Sequence, residues 1–518
     1  MESEVQRPLA DFPVNIWEDI LNSFSKSELG SDSLKEKHIT LKETVNESFM
    51  ASRANPIENI MFIDTLCCLG VSYHFEKDIT EQLEKLFDCP DFNQKIRQDG
   101  GDLCTVGIVF QVFRLFGFKL PADVFKNFED EDGKFKAHLV ADARGMLSLY
   151  EAAQWRIPGE DILDEALAFS NSQLEEISSR SSPHLAIPIK KALKHPFHKG
   201  ISRIETRQYI SYYEIDFNLL QMLHRQELAC VTRWHKEMEF ESKITYTRHI
   251  VAEAYLWALG TYFEPEYSQA RVALAIIVIL YTALDDVYDA YGTKEELEIF
   301  THALKKWLPE APTGIPDSMK HFYRVIVDFY EKLSMILRRK GGQALKATAN
   351  GYMQEAKWLK KDYTAKFDEY KENAIVSSGY YGIMAVTFAG MGDVAKLDAF
   401  EWLSSHPKIR VASEVLCRFT DDIIATRKHV ATGIDFYMKQ FGVSKERAAE
   451  EIFNIVSNAW KDLNQELMRP HSVNFSLLMP ILNLSRVIHV FYRYQDAYTH
   501  PEFLKEHVVS LLVENIPI

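Results

Sequence analysis

The sequence has no excess of positive charge: 59 Lys and Arg stand against 74 Asp and Glu, a formal charge of −15. Partners held mainly through a phosphate backbone select basic faces, so nucleic acid is excluded as the principal partner. Cysteine is scarce, and Cys67, Cys68, Cys89, Cys104, Cys230 and Cys417 form neither a CxxC pair nor a metal-type spacing. They read as buried thiols of a reducing compartment. The longest apolar run, 272–284, is shorter than the roughly 18 residues of a membrane helix, so no span is expected. The N-terminal "MESEVQRPLADFPVNIW" has neither the apolar core of a signal peptide nor the Ser/Arg richness of a transit segment, which points to a cytoplasmic protein.

What is present is material for burial. Apolar residues make up 47% of the 518 and aromatics 12%, enough for a globular chain of two domains. Apolar positions recur at three- and four-residue steps almost throughout, which predicts an all-α protein. "EDILDEALAFSNSQLEEI" (160–177) sets Ile162, Leu163, Leu167, Phe169 and Leu174 along one helix, and "DFNLLQMLHRQELACVTRW" (216–234) does so with Phe217, Leu220, Leu223, Leu228 and Val231. No 34- to 47-residue repeat of a helical solenoid is visible, so antiparallel helices in a barrel or bundle are expected. The polar and aromatic "RQYISYYEID" near 205–215 marks a boundary between domains 1–210 and 211–518. The residues suited to chemistry lie in the second.

Chief among them is "YTALDDVYDAYG" (281–292), where Asp285, Asp286 and Asp289 follow the greasy run "VALAIIVIL". On a helix Asp285 and Asp289 share a face, while Asp286 points about 100° away. Stacked carboxylates repel, and burying them unpaired costs several kcal/mol or raises their pKa values. A divalent cation relieves both penalties. Hard oxygen ligands on a short acidic motif suit Mg²⁺, with Mn²⁺ an admissible substitute, and Mg²⁺ usually completes its shell with substrate phosphates. The all-round apolar helix implies that its acidic end opens onto a cavity. Upstream stand Arg248 and Trp257, and "CRFTDDIIAT" (417–426) repeats the device with Arg418, Asp421 and Asp422.

With these motifs the chain resembles a plant terpene synthase of the cytosolic sesquiterpene type. The likeness runs from "RPLADFPVNIW" through "GMLSLYEAAQWRIPGEDILDEALAF", "YLWALGTYFEPEYSQAR", "LDDVYDAYGT", "EAKW" and "AWKDLNQELMRP" to "YRYQDAYTHP". It implies a relict N-terminal αα-barrel and a C-terminal class I α-helical bundle holding the active site. It further implies that Asp285 and Asp289, with Asp286 assisting, and Asp421 and Asp422 bind Mg²⁺ bridging the diphosphate of farnesyl diphosphate. Arg248 and Arg418 match diphosphate-binding arginines, and Ser377, Ser378 and Gly379 match a helix break whose carbonyls line the pocket. Trp257 and Tyr498 match aromatic positions that stabilise a carbocation, and Asp496 an acid of the same closing loop. A monomer acting on a small-molecule substrate is implied. "QRP" lacks the tandem arginine of plastid monoterpene enzymes, which favours a C15 substrate.

The chain also departs from that pattern. The second metal motif calls for a hydroxyl and a carboxylate four and eight residues on. From Asp421 the chain supplies Ala425 and His429, and from Asp422 it supplies Thr426 and Val430. Imidazole is a poor Mg²⁺ partner, and Arg427 and Lys428 read as solvated or as substitutes for lost positive charge. The Arg-x-Arg element becomes Arg248-His249-Ile250, losing a bidentate guanidinium. The stretches following Asp421, at 211–218 and at 338–348 look shortened. Two readings therefore stand: a Mg²⁺-dependent sesquiterpene synthase, and a catalytically impaired homologue that binds metal and prenyl diphosphate. A helical scaffold fits the buried acidic motif poorly, and a chain-elongating prenyltransferase calls for a second DDxxD motif that Ala425 interrupts.

Overall fold

The structure is a computed structural model that describes residues 12, 15–24, 32–98, 101–201, 214–333, 335–359, 365–424 and 431–517. Helices dominate, and among the described residues the sole β feature is an isolated bridge between Glu129 and Phe135. The chain forms two compact units. One holds Gly30–Leu219, Trp460–Phe475 and Asn515–Ile518; the other holds Met1–Leu29, Leu220–Ala459 and Ser476–Glu514. Most of the segment read as a domain boundary, 202–213, lies outside the described residues.

In the first unit the helix Leu103–Leu115 packs on Ala143–Ala153, which packs on Asp161–Arg180, which in turn packs on Pro183–Lys194. The helix over 161–180 buries Leu163, Ala166, Ser170, Leu174 and Ile177, a stripe at three- and four-residue steps. Of the expected core positions Leu163 and Leu174 fall on it, whereas Ile162, Leu167 and Phe169 flank it half-buried. Small Ala166 and Ser170 take the centre because they let a neighbouring helix approach. Asn464, fully buried, belongs to this unit: its amide donates to the carbonyls of Gln154 and Arg156 at 2.9 Å, and its Oδ1 lies 2.7 Å from His198 Nε2.

In the second unit six helices pack together around the stretch that carries the acidic motif. Ser268–Ala290 packs on Val251–Thr261, Met335–Leu359 and Tyr380–Gly390, and Lys408–Ile424 packs on Phe367–Ser377 and Tyr380–Gly390. From Ala270 to Ala290 nearly every residue of the first of these helices is buried, as its all-round apolarity predicts. One helix among the described residues, Phe475–Tyr492, is long and apolar enough to cross a membrane, yet 78% of it is buried as a core helix. All six cysteines are free thiols. The expectation that all are buried is corrected: only Cys67 is fully so, and Cys230 is exposed on the outward face of the helix Glu214–Glu237.

Candidate active site

A cavity of about 110 Å³ lies among these helices. The helix Ser268–Ala290 presents Val278, Tyr281, Thr282 and Asp285 to it. Their spacing, i, i+3, i+4 and i+7, is one helical face, and Asp289 continues that face by a further turn. The helix Lys408–Ile424 contributes Cys417, Arg418 and Asp421 to the same cavity, and Arg248, Trp257, Tyr352, Tyr380, Tyr492 and Tyr498 add aromatic and cationic lining. Of the sequence-predicted residues, Trp257, Tyr498, Arg248, Arg418, Asp285, Asp421, Ser377 and Ser378 are thus brought together around one space.

The other predicted residues stand just outside it. Asp286 is fully buried and turned away: its Oδ2 accepts from the Thr247 hydroxyl at 2.8 Å and from the Arg248 backbone N–H at 2.9 Å. The carboxylates of Asp285, Asp286 and Asp289 nonetheless approach within 4.8 Å of one another. Arg248 clamps two of them, with Nη2 3.0 Å from Asp285 Oδ2 and 2.8 Å from Asp286 Oδ1. Burial opposes the Arg248 charge, but Asp286, Asp285 and Asp289 outweigh it and hold the guanidinium firmly protonated. Burial raises Asp286, while Arg248 and the two donated hydrogen bonds pull it back.

The second acidic pair divides its work in the same way. Asp421 faces the cavity, and Asp422 accepts the Tyr370 hydroxyl at 2.7 and 2.9 Å beneath it. Burial pushes Asp422 up to about 6, against the pull of Arg418 and Tyr370. Ala425 to Val430, with His429 and the substitutions noted in the motif, lie outside the described residues. Asp496 does not line the cavity. Its Oδ1 accepts the backbone N–H groups of Tyr498 at 3.1 Å and Thr499 at 3.0 Å, so it shapes the turn that carries Tyr498 inward.

The helix break is where the motif placed it. Phe367–Ser377 ends, Gly379 adopts φ 71°, and Tyr380–Gly390 begins. A side chain at Gly379 would meet the Tyr281 ring at 2.5 Å, and one at Gly382 the Tyr281 hydroxyl at 1.8 Å, so both glycines let Tyr281 pass between helices. Trp257 meets Tyr498, Phe491 and Tyr380 edge-on, with centroids 5.3, 4.8 and 6.3 Å away. The Tyr498 hydroxyl shares a 2.5 Å hydrogen bond with Thr282.

Sequence reading missed several groups. Tyr281 and Thr282 belong to the quoted aspartate stretch and sit one turn before Asp285, a signal that helical spacing carried. Glu355 lies in "EAKW", quoted for its likeness without a role. Its Oε1 accepts from Ser377 at 2.6 Å and Asn373 at 3.3 Å and stands 3.7 Å from Arg418 Nη1, which ties the helix break to the cationic wall. Tyr352, Tyr370 and Tyr380 carry no linear motif, and Tyr492 opens the stretch "YRYQDAYTHP" without a role assigned to it; burial raises all four phenols, keeping them neutral.

Comparison with known proteins bears directly on this site. Residues 16–193 match the model described as "Terpene synthase, N-terminal domain" and residues 236–462 that described as "Terpene synthase family, metal binding domain". The chain is 71% identical over 547 residues to an α-humulene/(−)-(E)-β-caryophyllene synthase of Arabidopsis thaliana, covering 100% of both. That span exceeds the 518 residues of this chain, so the relative carries positions this chain lacks. It is 40% identical over 550 residues to a hedycaryol synthase of Camellia brevistyla, covering 100% of this chain and 98% of the relative. Isoprene synthase from grey poplar leaves (Populus x canescens), crystallised with three Mg²⁺ ions and dimethylallyl-S-thiolodiphosphate, superposes with a TM-score of 0.86 at 27% identity, covering 94% of this chain and 98% of that one. Domain matches over most of the length, full-length relatives and an acidic, aromatic-walled cavity agree, and the chain belongs to the terpene synthase family.

Proposed function

We propose that the protein is a cytoplasmic, monomeric sesquiterpene synthase that ionises and cyclises farnesyl diphosphate with release of diphosphate, using Mg²⁺. The observation that carries the reading is that Asp285 and Asp421 line one cavity together with six aromatic side chains and the cations Arg248 and Arg418. The donor set fits the metal: carboxylate oxygens are the hard ligands Mg²⁺ prefers, and Asp285, Asp289 and Asp421 are the residues that would hold it, while Asp286 is occupied by Thr247 and Arg248. When bound, Mg²⁺ supplies positive charge that stabilises diphosphate as a leaving group. The name of the Arabidopsis relative, which denotes C15 hydrocarbon products, supports the choice of substrate.

The chain's own residues account for the rest. Arg248 and Arg418, both held charged by surrounding carboxylates, take up the diphosphate's negative charge as the allylic C–O bond lengthens. Trp257, Tyr281, Tyr380 and Tyr498 line the space the cation would occupy, where an aromatic ring face is worth about 0.5–2 kcal/mol to a cation, and their phenols, raised by burial, present no ionised oxygen to trap it. Thr282 occupies the Tyr498 hydroxyl, withholding that oxygen as well. Nothing in the geometry of the described residues or in the relatives favours the impaired homologue.

The test is incubation of purified protein with farnesyl diphosphate, with and without Mg²⁺, followed by gas chromatography and mass spectrometry of the extract. Mg²⁺-dependent sesquiterpenes are expected. Folded protein that yields none under any divalent cation would overturn the reading.

A further inference from the structure

A second set of convergent ligand atoms lies in the unit containing Gly30–Leu219, built from residues that the aspartate site does not use. His38 stands on the helix Asp32–Ser52, Tyr73 and His74 in the short turn of helix Ser72–Phe75, and Asp216 in the first turn of Glu214–Glu237. His38 Nε2 lies 2.9 Å and His74 Nε2 3.0 Å from the same Asp216 Oδ1, and the Tyr73 hydroxyl lies 2.9 Å from it. The two ring nitrogens and the carboxylate oxygen all fall within 4.8 Å of one another. The Asp216 side chain is 3% exposed, that of His74 10% and that of His38 19%.

One carboxylate oxygen offers about two lone-pair sites, yet three groups crowd upon it. Two imidazoles and a carboxylate converging on one point form the donor set of a borderline divalent ion, and a dication also offsets the cost of burying the carboxylate. Around tetrahedral zinc, with bonds of about 2.0–2.1 Å, ligand atoms stand about 3.3–3.4 Å apart. Opening the observed separations by a few tenths of an ångström admits the ion and leaves Tyr73 to donate to the carboxylate as an outer partner. We propose that His38, His74 and Asp216 form a Zn²⁺ site. It staples a helix, a turn and a second helix whose ligands lie up to 178 residues apart in sequence. Its nitrogen ligands separate it chemically from the all-oxygen cluster at Asp285, which suits Mg²⁺.

The full-length protein, stripped with chelator and dialysed against Zn²⁺, is measured by elemental analysis and thermal unfolding, with Co²⁺ absorption as a probe of tetrahedral nitrogen ligation. One Zn²⁺ per chain and a Tm raised on its return are expected, because the ion binds the folded form alone. His38→Ala, at the most exposed ligand and so the variant best able to fold, weakens Zn²⁺ affinity by roughly tenfold or more, and His74→Gln does likewise. The double variant Asp285→Ala, Asp289→Ala keeps the ion, so this test does not depend on the synthase reading. No retained Zn²⁺ with an unchanged Tm would leave a hydrogen-bonded cluster only and overturn the proposal. So would retention undiminished in His38→Ala, or loss in the aspartate variant.

Discussion

Asp285 is the carboxylate whose two surroundings matter most: it faces the cavity on one side and Arg248 Nη2 at 3.0 Å on the other. Asp285→Ala removes a candidate metal ligand from a helix that is otherwise held by apolar packing. Turnover in the Mg²⁺ assay is expected to fall by about 100-fold or more while circular dichroism stays unchanged. Tyr498→Phe keeps the ring against Trp257 but loses the hydroxyl bond to Thr282. Because the phenol is neutral and its ring face is what meets a cation, the expected result is an altered product ratio by mass spectrometry with kcat within about tenfold of wild type. The carboxylates and arginines were legible in the sequence because charged residues behind an apolar helix are conspicuous. Tyr352 was not, since an isolated tyrosine at helical spacing looks like any core residue until its neighbours are known.

The elements impose constraints of their own. The kink at Ser377–Gly379 and the missing side chain at Gly382 exist so that Tyr281 can cross between helices. Gly382→Ala drives a methyl into the Tyr281 hydroxyl and is expected to destabilise the protein by about 1–3 kcal/mol, read as a lowered urea midpoint at constant m. On the helix Val251–Thr261, Glu253 is 1% exposed and accepts the Trp17 indole N–H at 2.7 Å. Burial raises its pKa from the ordinary 4.5 to about 7. An acid raised in the folded state favours its protonated form, so its contribution is complete below pH about 4.5 and is lost as pH rises to about 7. Glu253→Gln retains an acceptor for Trp17 and removes that loss. The variant's Tm is therefore expected to vary less than that of the wild type across this window, measured by thermal unfolding at stepped pH. Helical periodicity identified these helices, but which turn of each faced the cavity followed only from their packing.

Across the whole molecule, each compact unit is assembled from segments far apart in the chain, and Trp460–Phe475 belongs with Gly30–Leu219. Asn464 and Lys461 explain why: Asn464 donates to the carbonyls of Gln154 and Arg156, and Lys461 pairs with Asp164 at 2.6 Å. Asn464→Ala leaves two buried acceptors and His198 without that amide. A loss of about 2–4 kcal/mol is expected by denaturant unfolding, with no change in the Mg²⁺ requirement of the remaining activity. The motif "AWKDLNQELMRP" marked the segment as distinctive without indicating its destination, because a linear motif records composition and not where its hydrogen bonds end. By itself the sequence determined an all-α chain, an acidic site for a divalent cation and membership of a family, since periodicity, charge and motif are properties of residue order. Only the tertiary structure decided that Asp285 and Asp421 face the cavity while Asp286 and Asp422 anchor it from behind. Adjacent residues on a helix diverge by about 100°, and which of them meets a cavity depends on the helices packed around it.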